Sequence, residues 1–298
     1  MRNELSNCKI CPRQCGINRY ERKGACGADF SVIASKAYLH QWEEPCISGE
    51  KGSGTIFFSG CNLNCVFCQN YQISQELLGK KISNTRLAEI MLELQAQGAL
   101  NINLVSPTPY AVQIIDAVAI AKQKGLSIPV VYNTNGYETV EIIEKLKGTV
   151  DIYLPDIKYY TDTYAVKYSN AKNYFSYTSK AVLAMVRQVG HPVFDDSGIM
   201  QKGVIIRHLI LPDLLEDSKK ILSWIKDNLG AETYVSLMGQ YTPLYDAARF
   251  EEINRKLEDW EYEFIIDYFF KIGLENGFVQ ELDSACSDYV PDFDFSGI

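Results

Sequence analysis

With 298 residues the chain is long enough for one large α/β barrel or two ordinary domains, and its 47% hydrophobic and 22% charged content is that of a soluble globular protein. No apolar run approaches the roughly eighteen residues that span a bilayer, and the start, MRNELSNCKICP, lacks the apolar core and cleavage site of a secretory signal, so a cytoplasmic location with no membrane partner is expected. The net charge of -8 is uneven, because residues 250–298 carry 13 Asp and Glu against 3 Lys and Arg; this balance argues against nucleic acid as a partner and reads the carboxyl end as a solvated helix face.

Nine cysteines are many for this length, and eight of them fall before residue 69. In a reducing compartment disulfides are rare, so thiols crowded at short spacings point to metal binding or catalysis. Residues 1–48 hold Cys8, Cys11, Cys15 and Cys26 among Arg, Lys and Gly, with little periodicity before SVIASKAYLH, and are expected to form a small cysteine-rich, metal-tied appendage. Four thiols suit a tetrahedral metal, with structural zinc and a second iron–sulfur cluster both open at this point. Cys46 and Cys286 have no evident partners and read as inert buried thiols.

The turn-rich stretch 48–54 leads into TIFFS, short and aromatic enough for a buried strand. Its GEKGSGT does not fit the phosphate-loop pattern and precedes a strand rather than opening a helix. Further strand-like runs lie at 101–105, 128–132, 150–154, 203–211 and 233–238, with helical-period segments near 85–98, 110–124, 137–147, 175–189 and 216–228. In the first of these helices Leu87, Ile90, Met91 and Leu94 follow three-and-four spacing, and Gly98 suits a C-terminal cap. Strand and helix repeated in this way imply a parallel sheet with helices outside and right-handed connections. The expected architecture over residues 49–298 is an α/β partial (β/α)6 barrel, ending in an acidic helical extension at 249–275, read as one helix or two.

Directly after the first barrel strand comes Cys61-Asn-Leu-Asn-Cys65-Val-Phe-Cys68, which should lie on the C-terminal rim where barrel active sites sit. A cubane cluster has four irons, so three cysteines in one loop leave one iron open, as a catalytic metal site keeps a free position. A zinc knuckle would need a fourth ligand, and Asn62, Asn64, Gln69, Asn70 and Tyr71 include neither His nor Cys, which leaves Cys46 as the candidate for that role.

This spacing, with an aromatic residue before the last cysteine, resembles the signature of the radical S-adenosylmethionine (SAM) superfamily. The wider stretch EEPCISGEKGSGTIFFSGCNLNCVFCQNYQIS resembles the subgroup of homologues of pyruvate formate-lyase activating enzyme, and the likeness runs from Cys8 to about residue 285. The resemblance implies that Cys61, Cys65 and Cys68 ligate a [4Fe-4S] cluster whose open iron binds the amino and carboxylate groups of SAM. It implies a reductant such as flavodoxin or ferredoxin, and a 5′-deoxyadenosyl radical that removes a hydrogen atom from a substrate. Phe67 would lie near the adenine. A partner polypeptide, as for glycyl-radical activases, is the first substrate reading; a small molecule or a modified peptide is the second, and a non-catalytic metal-binding scaffold the third.

The same resemblance points to other rim positions. Ser106 and Thr108, in Val105-Ser106-Pro107-Thr108-Pro109, stand where relatives have a glycine-rich turn against the SAM amino group. Asn133 and Asn135, in Tyr132-Asn133-Thr134-Asn135-Gly136, match an Asp-Thr-Asn-Gly run with Asn133 in place of the acid, an exchange that bears on whether a monovalent cation binds beside SAM. Asp156 and Lys158 in LPDIKYY match a strand-end Asp-x-Lys that faces SAM, the alternative being a surface ion pair. Arg207 and His208 sit in an apolar strand, where charge is costly unless paired or facing a wet cavity. Alternation puts them on opposite faces, and register decides which points toward SAM. Gln240 and Gln280 are further rim candidates.

Overall fold

The computed structural model describes residues 2–280 and 291–298, so Cys286 lies outside the described residues. The chain opens with α1 (Arg2–Ser6), β1 (Val32–His40), α2 (Pro45–Ser48), β2 (Ser53–Phe58), α3 (Tyr71–Ser74), β3 (Lys80–Ile82) and α4 (Asn84–Ala96). It continues through β4 (Ile102–Val105), α5 (Ala111–Gln123), β5 (Val130–Thr134), α6 (Val140–Lys145), β6 (Ile152–Pro155), α7 (Asp162–Ser169) and α8 (Tyr174–Val189). The last elements are β7 (Val193–Phe194), β8 (Met200–Leu209), α9 (Leu215–Leu229), β9 (Tyr234–Met238), α10 (Asp259–Lys271) and β10 (Gly277–Val279).

Six strands pair in parallel in the order β2, β4, β5, β6, β8, β9, and β10 extends the row beside β9. These six are the strands expected from the sequence, shifted by a few residues at their ends. The sheet does not close on itself: β1 lies antiparallel to β2 and β3 antiparallel to β1 at one edge, while β10 ends the other. Because β1 falls within residues 1–48, the expected boundary at 48/49 lies between two paired strands.

Local chemistry explains the main elements. Ser83 caps α4 by accepting from the Arg86 N–H at 3.1 Å, and Leu87, Ile90, Met91 and Leu94 face inward as their spacing requires. Burying each such side chain stabilises by roughly 1.5–3 kcal/mol. At the end of β5, Gly136 has φ +77°, and a Cβ there would stand 2.2 Å from the Asp156 carbonyl oxygen. Only glycine lets the ends of β5 and β6 approach so closely.

The amino-terminal segment packs on the barrel rather than standing apart from it. Leu5, Cys8 and Ile10 share a core cluster with Ile142, Ile143 and Leu146 around α6. Arg19 is buried against Tyr110, its guanidinium carbon 5.9 Å from the ring centroid, and donates to the main-chain oxygens of Asp29 and Pro109 at 2.9 and 2.5 Å. At the other terminus the Ser296 oxygen accepts from the Ala37 N–H at 2.9 Å, and Phe293 packs edge-on against Phe57, centroids 5.7 Å apart.

The acidic carboxyl region is one helix preceded by two short 3-10 turns, Ala247–Arg249 and Glu251–Ile253. It is more than a solvated face: Glu261 is fully buried, bonded by Arg255 at 2.6 Å, and forms a capping box with Glu258. Among the described residues no helix is long and apolar enough to cross a membrane.

Candidate active site

The C-terminal ends of β2, β4, β5, β6, β8, β9 and β10 surround a cavity of about 590 Å³. Cys61, Cys65, Cys68, Phe67, Ser106, Asn133, Asn135, Asp156, Lys158 and Arg207 all line it, as do Gln240 and Gln280. This is the rim on which barrel enzymes place their chemistry.

The three-cysteine loop is anchored from several directions. Gly60, with φ +89°, leads into it and passes so close to the amino-terminal segment that a Cβ would lie 2.5 Å from the Cys26 oxygen. The N–H groups of Asn64 and Val66 donate to the carbonyls of Ser169 and Tyr168, at 3.1 and 2.9 Å, so the loop hangs from the last turn of α7. Asn62 donates from Nδ2 to the Tyr137 oxygen at 2.6 Å.

Each thiol also meets a hydrogen-bond donor. Asn135 Nδ2 lies 3.2 Å from Cys61 Sγ, Ser169 Oγ 3.0 Å from Cys65 Sγ, and Ser74 Oγ 3.2 Å from Cys68 Sγ. Burial first, and then the charge of Cys65, pushes the Cys61 thiol up to about 12. Burial pushes Cys65 up to about 11 against the pull of Lys158, and it raises Cys68 as well. These groups are thiols at neutral pH unless a positive metal centre stabilises the thiolates.

Among the described residues no three His, Cys, Asp or Glu side chains are gathered closely enough to hold a single metal ion. A cubane takes each thiolate on a different iron and therefore needs thiols that face one volume, which Cys61, Cys65 and Cys68 do. The donor set fits an iron–sulfur cluster with one iron lacking a protein thiolate.

The rest of the rim is charged. Lys158 Nζ stands 2.6 Å from Asp156 Oδ2. Burial alone would lower the Lys158 pKa, but Asp156, then Cys65 and Tyr174, outweigh it and raise it. Arg207 reaches Glu43 Oε2 at 3.2 Å, Glu44 Oε1 at 3.5 Å and Asp156 Oδ1 at 3.8 Å, and these carboxylates overcome its desolvation to hold it charged. Glu43 Oε1 accepts from Asn103 and Asn133, at 2.9 and 3.4 Å. Asn133, which replaces an acid of the resembled pattern, thus meets a carboxylate delivered from ahead of β2.

Ser106 takes φ +59°, the left-handed conformation that glycine favours, so the turn keeps a glycine-like backbone without the glycine. Thr108 is buried outside the cavity and donates to Glu138 Oε1 at 2.5 Å. His208 also lies outside it, buried with Nδ1 2.7 Å from the Ile157 oxygen, and burial lowers its pKa. Strand alternation is the reason: β8 turns Arg207 inward and His208 into the packed layer behind. Phe67 packs edge-on against Tyr241, centroids 5.6 Å apart.

Cys8, Cys11, Cys15 and Cys26 line a separate small pocket with Arg13, Arg19, Asn62 and Thr108. Cys46 is buried, and burial followed by the charge of Glu44 pushes its thiol up to about 12. Glu43, Glu44, Ser74, Ser169 and Glu138 were not singled out by sequence. The one available signal was the pair of acids in EEPC, just ahead of β2.

The model of the radical SAM superfamily matches residues 55–225. The uncharacterized protein MJ0674 of Methanocaldococcus jannaschii is 34% identical over 284 residues, covering 92% of this chain and 77% of that protein. A second uncharacterized protein of the same organism, MJ0808, is 25% identical over 254 residues, covering 76% of this chain and 68% of its own length. The X-ray structure of the FeFe-hydrogenase maturase HydG from Carboxydothermus hydrogenoformans is similar with a TM-score of 0.50 and 14% identity. The match covers 74% of this chain and 50% of HydG, and it shows a shared fold.

Proposed function

We propose, from the premise that this chain belongs to the radical SAM superfamily, that it is an enzyme acting on a partner polypeptide in the manner of a glycyl-radical activase. A [4Fe-4S] cluster held by Cys61, Cys65 and Cys68 would supply reductive cleavage of SAM to a 5′-deoxyadenosyl radical, which abstracts a hydrogen atom from the substrate. The observation that carries the reading is that three thiols from one loop face a single cavity ringed by the ends of the parallel strands.

The chain's own residues then have separable tasks. The Lys158 and Asp156 pair offers one fixed positive and one fixed negative group to the charged ends of SAM. The Ser106 turn brings main chain to the cavity wall, and Phe67 with Tyr241 gives an apolar surface for the adenine. Asn135 holds Cys61 in place.

Trp42, 63% exposed at the cavity mouth, supports a polypeptide substrate, because an aromatic rim suits a docked chain segment. A small molecule or a peptide under modification is the alternative, favoured by the polar floor that Arg207, Glu43 and Asn133 make. A flavodoxin- or ferredoxin-type protein in the cytoplasm would deliver the electron. We assign Cys8, Cys11, Cys15 and Cys26 to a second metal centre, because all four thiols line one pocket; they are not drawn around a single ion as they stand, so binding a metal there has to draw them together.

Anaerobically reconstituted protein should form 5′-deoxyadenosine from SAM when reduced, and Cys61→Ala, Cys65→Ala and Cys68→Ala should each abolish it. Absence of cleavage by fully loaded protein would leave a metal-binding scaffold. Radical transfer to a co-expressed polypeptide, against turnover that requires a small metabolite, separates the two substrate readings.

A further inference from the structure

We propose that Ser169 and Ser74 set the reduction potential of the cluster, each by donating a hydrogen bond to one of its cysteine ligands. The inference rests on the assignment of Cys65 and Cys68 as ligands and adds to it two residues, Ser169 behind the three-cysteine loop and Ser74 at the cavity wall.

The geometry is direct. Ser169 Oγ lies 3.0 Å from Cys65 Sγ, and Ser74 Oγ lies 3.2 Å from Cys68 Sγ. A ligating cysteine is a thiolate with no proton to give, so in both pairs the serine must donate. The Ser169 contact to Cys65 is buried, so water does not compete for that sulfur, whereas Ser74 and Cys68 meet at the cavity wall in a part-buried contact. Ser169 closes α7, where a serine hydroxyl commonly bonds back to its own helix; here it bonds a sulfur 104 residues away in sequence.

Each serine is in turn backed by a second polar group. Tyr159 OH stands 2.8 Å from Ser169 Oγ and is itself fully buried. If the tyrosine donates, the serine oxygen is satisfied and its proton is committed to Cys65. Gln75 Nε2 lies 3.4 Å from Ser74 Oγ while donating to the Leu63 oxygen at 3.1 Å, which ties the second donor to the cluster loop itself.

Reduction brings one electron from an external one-electron donor and moves no proton, so the cluster and its sulfurs become more negative by one charge. A donor aimed at a ligand sulfur stabilises that form more than the oxidised one, and hydrogen bonds to the sulfurs are among the levers that set cluster potentials. Low surrounding polarity strengthens the effect, and a chain of two donors polarises further than one. The Ser169 contact is the shorter of the two, and Tyr159 backs it at 2.8 Å against 3.4 Å for Gln75 behind Ser74, so the Tyr159, Ser169 and Cys65 chain should count for more.

An EPR-monitored redox titration of anaerobically reconstituted protein tests this at matched iron content. Ser169→Ala and Ser74→Ala are expected to shift the midpoint to more negative values, Ser169→Ala further. Tyr159→Phe should shift it the same way by less than Ser169→Ala. Full iron content with wild-type midpoints in Ser169→Ala and Ser74→Ala would overturn the proposal. Should Ser169→Ala fail to take up iron, wild-type midpoints in both Ser74→Ala and Tyr159→Phe would overturn it equally. No cluster in the wild-type protein would instead remove the ligand assignment on which the proposal stands.

Discussion

Arg13, from the amino-terminal cysteine segment, donates from Nε to the main-chain oxygen of Asn62 in the three-cysteine loop, 2.7 Å away. Its Nη1 reaches the Asn170 oxygen just beyond α7 at 2.5 Å, and its guanidinium carbon lies 5.7 Å from the Tyr137 ring centroid. Asn62 Oδ1 accepts from Asn135 Nδ2 at 2.8 Å, and Asn135 also contacts Cys61 Sγ. A continuous polar path therefore joins the amino-terminal segment to the first ligand of the proposed cluster.

Arg13→Gln should loosen that loop. Hydrogen bonds from a charged donor contribute about 1.5–3 kcal/mol each, and partial exposure of Arg13 keeps the expected loss near the lower figure, about 2 kcal/mol. Chemical denaturation of the metal-free protein measures it, and iron retained at the cluster after reconstitution should fall in parallel. Arg13→Lys should not restore either, because one ammonium cannot span two separate carbonyls as a guanidinium fork does. Unchanged stability in both variants would show that the clamp carries no weight.

At Ser106 the backbone itself is under test. A left-handed conformation costs a side-chain-bearing residue roughly 1–2 kcal/mol, and a β-branched residue suffers most. Ser106→Gly is expected to keep or improve stability and to retain SAM binding by the reconstituted protein. Ser106→Val should lose about 2 kcal/mol and bind SAM more weakly in calorimetric titration. Equal behaviour of the two variants would contradict the conformation seen at this turn.

Glu138 should make stability depend on pH in an unusual direction. Its carboxyl is fully buried, and desolvation, opposed by bonds from Thr108, Thr134 and Tyr132, pushes its pKa up to about 7 from an ordinary 4.5. Between those values the native state keeps the proton that the unfolded chain releases, so the native state binds more protons and stability falls as pH rises through the window. The full effect is at most about 3 kcal/mol by linkage. Glu138→Gln keeps an oxygen acceptor and cannot ionise. The stability difference between variant and wild type should therefore move in favour of the variant from pH 4.5 to pH 7 and level off above it. A difference independent of pH would mean that Glu138 titrates normally.

The barrel was legible in the sequence because each of its buried strands is a short apolar run and each outer helix repeats apolar residues at three-and-four spacing. The three-cysteine loop was legible because its thiols are neighbours in the chain. Helix α7 was not, since DTYAVKYS turns only Ala165, Tyr168 and Ser169 inward and leaves no extended stripe to recognise. Its final residue, Ser169, meets the Cys65 sulfur, and no local pattern marks a serine whose partner is 104 positions away. Alternation separated Arg207 from His208 correctly, but the choice between them needed register: the Arg207 backbone pairs with Asp156 at the end of β6, which brings its side chain into the cavity. Glu43 was hidden for a similar reason, because its role depends on β1 folding back beside β2.

The amino-terminal quartet should bind metal without help from the SAM site. Arg19 is 1% exposed, and among the described residues its hydrogen bonds go to the main-chain oxygens of Asp29 and Pro109. A buried guanidinium is costly unless negative charge lies close by. Cys26 is near enough to feel it, yet burial raises both Cys26 and Cys11 above the ordinary thiol value, so as free thiols they offer no counter-charge at neutral pH. A metal bound by four thiolates carries net negative charge, which Arg19 does not find in its hydrogen bonds among the described residues. Protein with Cys61, Cys65 and Cys68 all replaced by alanine should therefore retain one metal centre, and adding Cys8→Ala with Cys11→Ala should remove it. In the wild-type chain, roughly four irons with one zinc would mark a structural site, and roughly eight irons without zinc a second cubane. Arg19→Met separates charge from packing: it should weaken metal retention by the quartet while iron at the three-cysteine loop stays at its wild-type level. Retention of metal by the quartet regardless of Arg19 would show that the charge argument is wrong, and no metal in the triple variant would remove the quartet as a site.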